Sequence, residues 1–342
     1  MSTAPHIVID SGIPYISGVF ESCGARVSYL AGREICRAAL SDASAVVVRT
    51  RTRCDAALLE GTPVTIVATA TAGTDHIDIQ YCASHGIHVA SAPGCNADGV
   101  KQYVLTALYA LARRKGINLR GLTMGVIGAG QVGSRVADLA SALGFRVLRN
   151  DPPRAIREST FESVPLEQVL AESDIVTLHI PLWEENIGFA SGDFFDRMKQ
   201  GSIFINAARG EVVDENALIL ARSNLSGLIL DVWAGEPLIN KQLLNIADIA
   251  TPHIAGYSAQ GKINGTIAVV RAVADHFGID QLKGFSLPLA SRPLALDASM
   301  SQQAITEALL RRYDIWVDDT ALRLAPGSFE ALRTNYSYRI DF

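Results

Sequence analysis

The residues best suited to chemistry in this 342-residue chain stand at the ends of short apolar runs. His253 lies in TPHIAGYSAQGK (251–262), Glu236 in LILDVWAGEP (228–237) and Arg209 in INAARGEVVDENAL (205–218). Taken singly, each has an ordinary explanation. A lone histidine in apolar surroundings is usually a satisfied core or turn residue, an isolated arginine a surface group, and an acid after a strand a helix cap. Together they read differently, because each follows its own strand-like run, Glu236 27 positions after Arg209 and His253 17 after Glu236. A carboxylate beside an imidazole favours its protonated form and fixes the ring, which suits proton transfer near neutrality. A guanidinium offers a planar, bidentate grip on a carboxylate. Asp231 follows the same run as Glu236 and adds a second acid.

A second constellation is GVIGAGQVGSRVADLASALGFRVLRND (125–151). Gly128, Gly130 and Gly133 have G-x-G-x-x-G spacing after an apolar strand, and Gln131 and Val132 open the amphipathic helix that follows. The first glycine makes a tight turn, the second lets backbone approach a pyrophosphate, and the third allows close helix–sheet packing. Asp151 comes 18 positions after Gly133, where a carboxylate accepts hydrogen bonds from a ribose and repels a 2′-phosphate. NAD is therefore expected over NADP, although Arg149 and Arg154 flank the acid. The plain alternative is a glycine turn needed only for packing.

Two further stretches are open to either reading. VVVRTRTRCD (46–55) alternates Arg49, Arg51 and Arg53 with Thr50 and Thr52, which makes an anion site or a solvated strand edge. ATATAGTDHIDI (68–79) ends a strand in a small-residue turn whose N–H groups could hold an anion. Asp75, His76 and Asp78 there have the spacing of a capped helix start, and no metal is expected. Cys95, with no histidine near it in sequence, reads as a small buried residue.

The elements that position these groups alternate along the chain. HIVID, ARVSYL, AVVVR, VTIVATA and GIHVA read as buried strands separated by helical segments, the pattern of a parallel sheet covered on both faces. SAPGCNA (91–97) breaks the series. A second series, LTMGVIGAG, GFRVLRND, SDIVTLHIP, GSIFINAA, SGLILDVW and ADIATPHIA, supplies six strands, enough for a dinucleotide-binding sheet. A long helix follows His253, and beyond Gly284 a proline-bearing stretch leads to an amphipathic, aromatic tail. That tail reads as a small third unit whose apolar face needs a partner.

Composition narrows the class. Hydrophobic residues make up 49% and charged residues 19%, a globular balance and not a disordered one. The net charge of -5 gives no footprint for nucleic acid or an anionic membrane. Five scattered cysteines, none in CxxC spacing, argue against a disulfide framework and suit a reducing cytoplasm. No signal peptide is visible at the N-terminus, and the most apolar helical run, VKQYVLTALYALARR, carries Lys101 and ends in two arginines.

GAGQVG, the Arg209, Glu236 and His253 series and the two similar halves together resemble the D-2-hydroxyacid dehydrogenase family. ATATAGTDHID, APGCNA, DPPR, LDVWAGEP, HIAGYSAQGK and LRTNYSYR resemble more particularly its branch acting on 4-phospho-D-erythronate. The resemblance implies an α/β protein with two doubly wound parallel-sheet domains. A flavodoxin-like substrate domain would comprise residues 1–95 and 254–284, a Rossmann-type NAD domain residues 96–253, and a C-terminal dimerisation domain residues 285–342. It implies Arg209, Glu236 and His253 as catalytic residues, with His253 the acid/base. Cofactor contacts would come from Gly128, Gly130, Gln131, Val132, Gly133, Asp151, Ile180, Ala207, Ala208, Arg209, Asp231 and Gly256, and substrate contacts from Thr50, Thr71 and Tyr257. The implied activity is NAD-dependent oxidation at C2 of a phosphorylated 2-hydroxyacid in pyridoxal 5′-phosphate biosynthesis, by a homodimer without nucleic-acid or membrane partners. Two alternatives stay open: a 3-phosphoglycerate or glyoxylate/hydroxypyruvate dehydrogenase, and a non-enzymatic NAD(H)-sensing scaffold.

Overall fold

The computed structural model of the chain describes residues 4–288 and 293–342. They form two compact units, one from residues 4–96 with 258–288, the other from 97–257 with 293–342.

The first unit is a five-stranded parallel sheet of β1 (His6–Asp10), β2 (Arg26–Leu30), β3 (Ala45–Val48), β4 (Ile66–Thr69) and β5 (His88–Ala90). Its order, β2-β1-β3-β4-β5, is the flavodoxin-like one. Strand alternation divides the side chains between two cores. Ile7, Ile9, Val47, Ile66 and Ala68 face Val269, Val270 and Val273 of the Ala259–Phe277 helix, while Val8, Val46, Val48 and Val67 pack on Leu40, Leu58 and Leu59. That helix begins at Ser258, whose hydroxyl accepts from Gly261 N at 3.0 Å, and ends at Gly278 in the left-handed region. Asp78 caps the Ile79–Ser84 helix by accepting from Tyr81 N at 2.8 Å, the role its spacing suggested. Burial pushes the Cys95 thiol up to about 11, so it is an inert thiol near neutrality.

The second unit contains β6 (Thr123–Ile127), β7 (Arg146–Asn150), β8 (Ile175–Leu178), β9 (Ser202–Asn206), β10 (Leu225–Leu230) and β11 (Ile249–Ala250), all parallel. The order β11-β10-β9-β8-β6-β7 reverses direction between β6 and β8, and in such sheets ligands bind beyond the carboxyl ends of the strands. The stretch ADIATPHIA contributes only two paired residues before it leaves the sheet to carry His253.

One face of this sheet packs Met124, Val126, Ile175, Ile203 and Ile229 on the Ala97–Lys115 helix. Leu296, Ile305, Leu309, Tyr313 and Ile315 belong to that same core. The segment 293–342, set apart in sequence by its proline-bearing approach, is thus built into the second unit. Its Gln302–Arg312 helix lies on the Ala97–Lys115 helix, and Leu322 and Phe329 join the core on the other face. Much of the tail's apolar surface is covered by its own chain, while Val317 and Leu324 stay exposed.

Candidate active site

The glycine turn leaves β6 where the strand order reverses. Gly128 has φ +87°, and a Cβ there would lie 2.7 Å from the backbone of His179, so only glycine fits. A Cβ on Gly133 would sit 1.8 Å from the Gly128 carbonyl oxygen; the Gln131–Ala142 helix is pressed onto the turn. Around Gly130, which begins that helix, the space is open, and no side chain caps the helix there. Gln131 and Val132 form its first turn, whose N–H groups are the donors a pyrophosphate requires.

Asp151 ends β7 beside this turn. Its Oδ2 accepts from Ala129 N at 2.8 Å and its Oδ1 from Arg154 N at 2.9 Å. Both flanking arginines are engaged elsewhere. Arg149 pairs with Asp138 at 2.6 Å, and Arg154 bonds Glu158, the Ser134 hydroxyl and the Ala129 carbonyl. Ile180, two residues past β8, packs against the Gly128 turn.

The acid/base candidates occupy the far side of the same sheet edge. His253 Nδ1 is 2.7 Å from Glu236 Oε2, and the other Glu236 oxygen accepts from Trp233 N at 3.0 Å. Burial works to raise the Glu236 carboxyl, but His253 beside it, together with Arg333, holds it below the usual carboxylate range. The imidazole is 29% exposed and the carboxylate 17%, so the pair is sheltered yet reachable from one side.

His253 itself has φ +56°, a conformation costing a non-glycine residue about 1–2 kcal/mol. Asp231 holds it there. The Asp231 carbonyl accepts from His253 N at 2.7 Å, and its carboxylate accepts from Ile254 N, Ala255 N and the Thr251 hydroxyl at 2.7–2.8 Å. Burial pushes this carboxyl up, against the neighbouring His253 and the three donors that favour its ionised form. Thr251 Oγ1 is also 2.6 Å from the hydroxyl of fully buried Tyr103, and the Trp233 indole donates to the Thr251 carbonyl at 3.0 Å. Asp231 is thus a loop-shaping group, a function its position after β10 did not reveal.

Arg209 follows β9 through Ala207 and Ala208. Asn206 fixes this turn by accepting from Ala208 N and donating to the Arg209 carbonyl. A Cβ on Gly210 would lie 1.9 Å from the Trp233 carbonyl carbon, so the Arg209 turn rests directly on the backbone leading to Glu236. The structure therefore gathers Arg209, Asp231, Glu236, His253 and Gly256 at the ends of three neighbouring strands. Tyr257 joins them, its ring 5.9 Å from that of Tyr336 and 5.9 Å from the Arg333 guanidinium.

Thr50 and Thr71 belong to the first unit. Thr50 is exposed just past β3, and Thr71 Oγ1 is 2.7 Å from Thr69 Oγ1 and donates to the Gly73 carbonyl. Of the three arginines around Thr50, Arg49 makes a two-pronged bond to buried Asp10, at 2.9 and 3.0 Å, and Arg53 pairs with Asp55. Neither is an unengaged anion ligand.

Sequence reasoning missed Arg333 and Arg339. Arg333 Nη1 lies 3.8 Å from Glu236 Oε2, and Arg339, buried, donates to the Ile254, Ala255 and Gly99 carbonyls. Both stand in LRTNYSYR, a motif noted for its resemblance and given no chemical role.

Residues 99–255 match the family described as D-isomer specific 2-hydroxyacid dehydrogenase, NAD binding domain. The erythronate-4-phosphate dehydrogenase of Bacteroides fragilis is 41% identical over 97% of this chain and 96% of its own length. That of Salmonella newport is 40% identical over 98% of this chain and 92% of its own. Among solved structures, D-lactate dehydrogenase from Aquifex aeolicus, complexed with NAD and lactic acid, superposes with TM-score 0.70 at 28% identity, covering 81% of this chain and 98% of that one. NAD-bound 3-phosphoglycerate dehydrogenase from Entamoeba histolytica gives TM-score 0.70 at 27%, covering 83% and 100%. The chain belongs to the D-2-hydroxyacid dehydrogenase family, in the branch of the erythronate-4-phosphate dehydrogenases, and is an NAD-dependent oxidoreductase.

Proposed function

We propose that this enzyme oxidises 4-phospho-D-erythronate at C2 to 2-oxo-3-hydroxy-4-phosphobutanoate. On this reading its reaction belongs to pyridoxal 5′-phosphate biosynthesis, and a reducing cytoplasm suits its five free cysteines. The observation that carries the chemistry is the 2.7 Å contact between His253 Nδ1 and Glu236, on the sheet that also bears the glycine turn. With Nδ1–H directed at the carboxylate, Nε2 is left as the base. Bound NAD supplies the hydride acceptor. His253 Nε2 takes the proton of the C2 hydroxyl as the hydride leaves C2, and Glu236 stabilises the imidazolium that forms. Arg209 grips the substrate carboxylate and meets the charge on the C2 oxygen. Tyr257 is the substrate contact proposed for the second unit, and Thr50 and Thr71 are those proposed for the first. Asp151 selects NAD, and Asp231 keeps the His253 loop in its left-handed turn.

The test is a panel of acids assayed for NADH formation: 4-phospho-D-erythronate, unphosphorylated D-erythronate, 3-phosphoglycerate and glycolate. We expect kcat/KM for the phosphorylated four-carbon acid to exceed the others by at least about 10²-fold, the discrimination given by a site built around a charged group. A preference for 3-phosphoglycerate or glycolate would move the chain to another substrate, and absence of turnover with all four would favour an NAD(H)-sensing scaffold. A homodimer completes the proposal, with exposed Val317 and Leu324 of the Ile315–Leu324 helix as the apolar contribution of the tail.

A further inference from the structure

The Phe329–Thr334 helix brings a second cation to the acid/base pair. Arg333 is 14% exposed, and its Nη1 lies 3.0 Å from Glu330 Oε1 and 3.8 Å from Glu236 Oε2. Its guanidinium stands 5.8 Å from the Phe329 ring centroid and 5.9 Å from that of Tyr257, so two rings pin the charge where it is. Glu236 is therefore shared, with His253 on one side and Arg333 on the other. The same tail fixes the loop beyond His253. Arg339 donates to the carbonyls of Ile254 and Ala255, to Gly99 O at 3.0 Å and to the Tyr336 hydroxyl, with its guanidinium 4.6 Å from the Tyr313 ring centroid.

We propose that Arg333 is a positioning residue for the reaction: it keeps Glu236 aligned on His253 Nδ1 and offsets part of the charge with which that carboxylate favours the imidazolium. This rests on the reading of His253 as the base. A carboxylate alone stabilises an imidazolium, and an over-stabilised imidazolium is a base that has already taken its proton. A cation behind the carboxylate weakens that pull without releasing the ring. The other charged or titratable groups around the pair are accounted for. Asp231 lies buried beneath the His253 loop, Glu330 is bound to Arg333, and the Tyr257 side chain both hydrogen-bonds Arg333 and places its ring 5.9 Å from the guanidinium. Glu215 and Glu211 accept from Ala234 N and Gly235 N on the turn before Glu236. Arg209 stands on the neighbouring turn, its Nη1 donating to the Ala208 carbonyl, while Arg333 lies 3.8 Å from the pair's carboxylate; the neighbouring acids push in the opposite direction.

The experiment compares wild type with Arg333→Met and Arg333→Lys. Two readouts are used: the pH dependence of kcat/KM for 4-phospho-D-erythronate oxidation, and the NMR titration of the His253 ring, assigned by its loss in His253→Asn. In Arg333→Met the acid limb should move up by about half a unit to one unit, the scale of losing one nearby charge of the same sign as the imidazolium. The ring titration should move with it, and Arg333→Lys should restore most of the shift. An acid limb and a His253 titration both unchanged in a folded Arg333→Met protein would overturn the proposal. Should that variant not fold, Arg333→Gln gives the same comparison. If wild type fails to turn over the acid, the substrate reading fails, and the ring titration, which needs no substrate, still decides the role of Arg333.

Discussion

At the residue scale, the proposed chemistry concentrates in His253 and Glu236. Asparagine tolerates the left-handed backbone that His253 adopts at φ +56° and removes the proton acceptor, so His253→Asn separates catalysis from structure. We expect kcat to fall about 10²–10⁴-fold, with NAD affinity and melting temperature nearly unchanged. Isothermal titration and thermal unfolding on one preparation decide it; near-normal kcat in the folded variant would remove His253 from the mechanism. Glu236 carries a second consequence. Its folded-state carboxyl is held below the ordinary value of 4.5, so the stability it contributes is complete above that value and is lost as pH falls through the lower, folded one. Glu236→Gln should therefore flatten the loss of stability on the acid side of about pH 4.5, as read from urea midpoints at pH 7 and pH 4. A steeper acid loss in the variant would contradict the ion-pair account. These two residues were legible in sequence because each ends an apolar run. Arg333 and Arg339 were not, since nothing local to LRTNYSYR says that its partners lie around residue 236 and residues 254–255.

At the scale of elements, the glycine turn is the tightest piece of construction. Adding a methyl at Gly133 places it 1.8 Å from the Gly128 carbonyl, so the Gln131–Ala142 helix must back away from β6. Gly133→Ala should cost about 1–3 kcal/mol or more and lower the melting temperature by about 3–10 °C. It should also weaken NAD binding at least about tenfold, because the helix N-terminus no longer lies on the turn. Calorimetry and fluorescence titration of NADH measure both, and unaltered NADH binding would mean that the turn does not hold the pyrophosphate. Ten of the strands were visible as apolar runs of four or more residues or as short alternating ones. The eleventh, Ile249–Ala250, is too short to have a period, and its assignment rested on its neighbours. The Asp231–Thr251–Tyr103 connection was equally hidden, because Tyr103 reads as one more apolar position in a buried helix.

At the scale of the whole molecule, the tail decides what a truncation does. Leu296, Ile305, Leu309, Tyr313 and Ile315 each contribute about 1.5–3 kcal/mol on burial. Their sum is comparable with the ~5–15 kcal/mol that holds a domain together. A chain ending at Gly284 is therefore expected to aggregate or to lose its cooperative transition, where a separable domain would leave a folded monomer behind. Circular dichroism and size exclusion distinguish the two. The dimer needs a gentler test, Val317→Asp with Leu324→Asp, which should yield a folded monomer by sedimentation if these exposed side chains join two copies. The composition changes after Gly284, and residues 293–342 group with residues 97–257. Whether a segment docks on its own chain or on another is set by surface complementarity, which a linear pattern of apolar residues does not carry.

Arg339 grips a carbonyl 85 positions earlier in the chain. On a ribosome adding about 5–20 residues per second, that separation is roughly 4–17 seconds of synthesis. Until that arginine is made, the loop that carries His253 lacks the guanidinium that binds its carbonyls. Time, as much as distance, separates the two ends of this contact: in synchronised translation, turnover should appear only after residue 339 has emerged, and earlier turnover would show that the loop sets itself without the arginine.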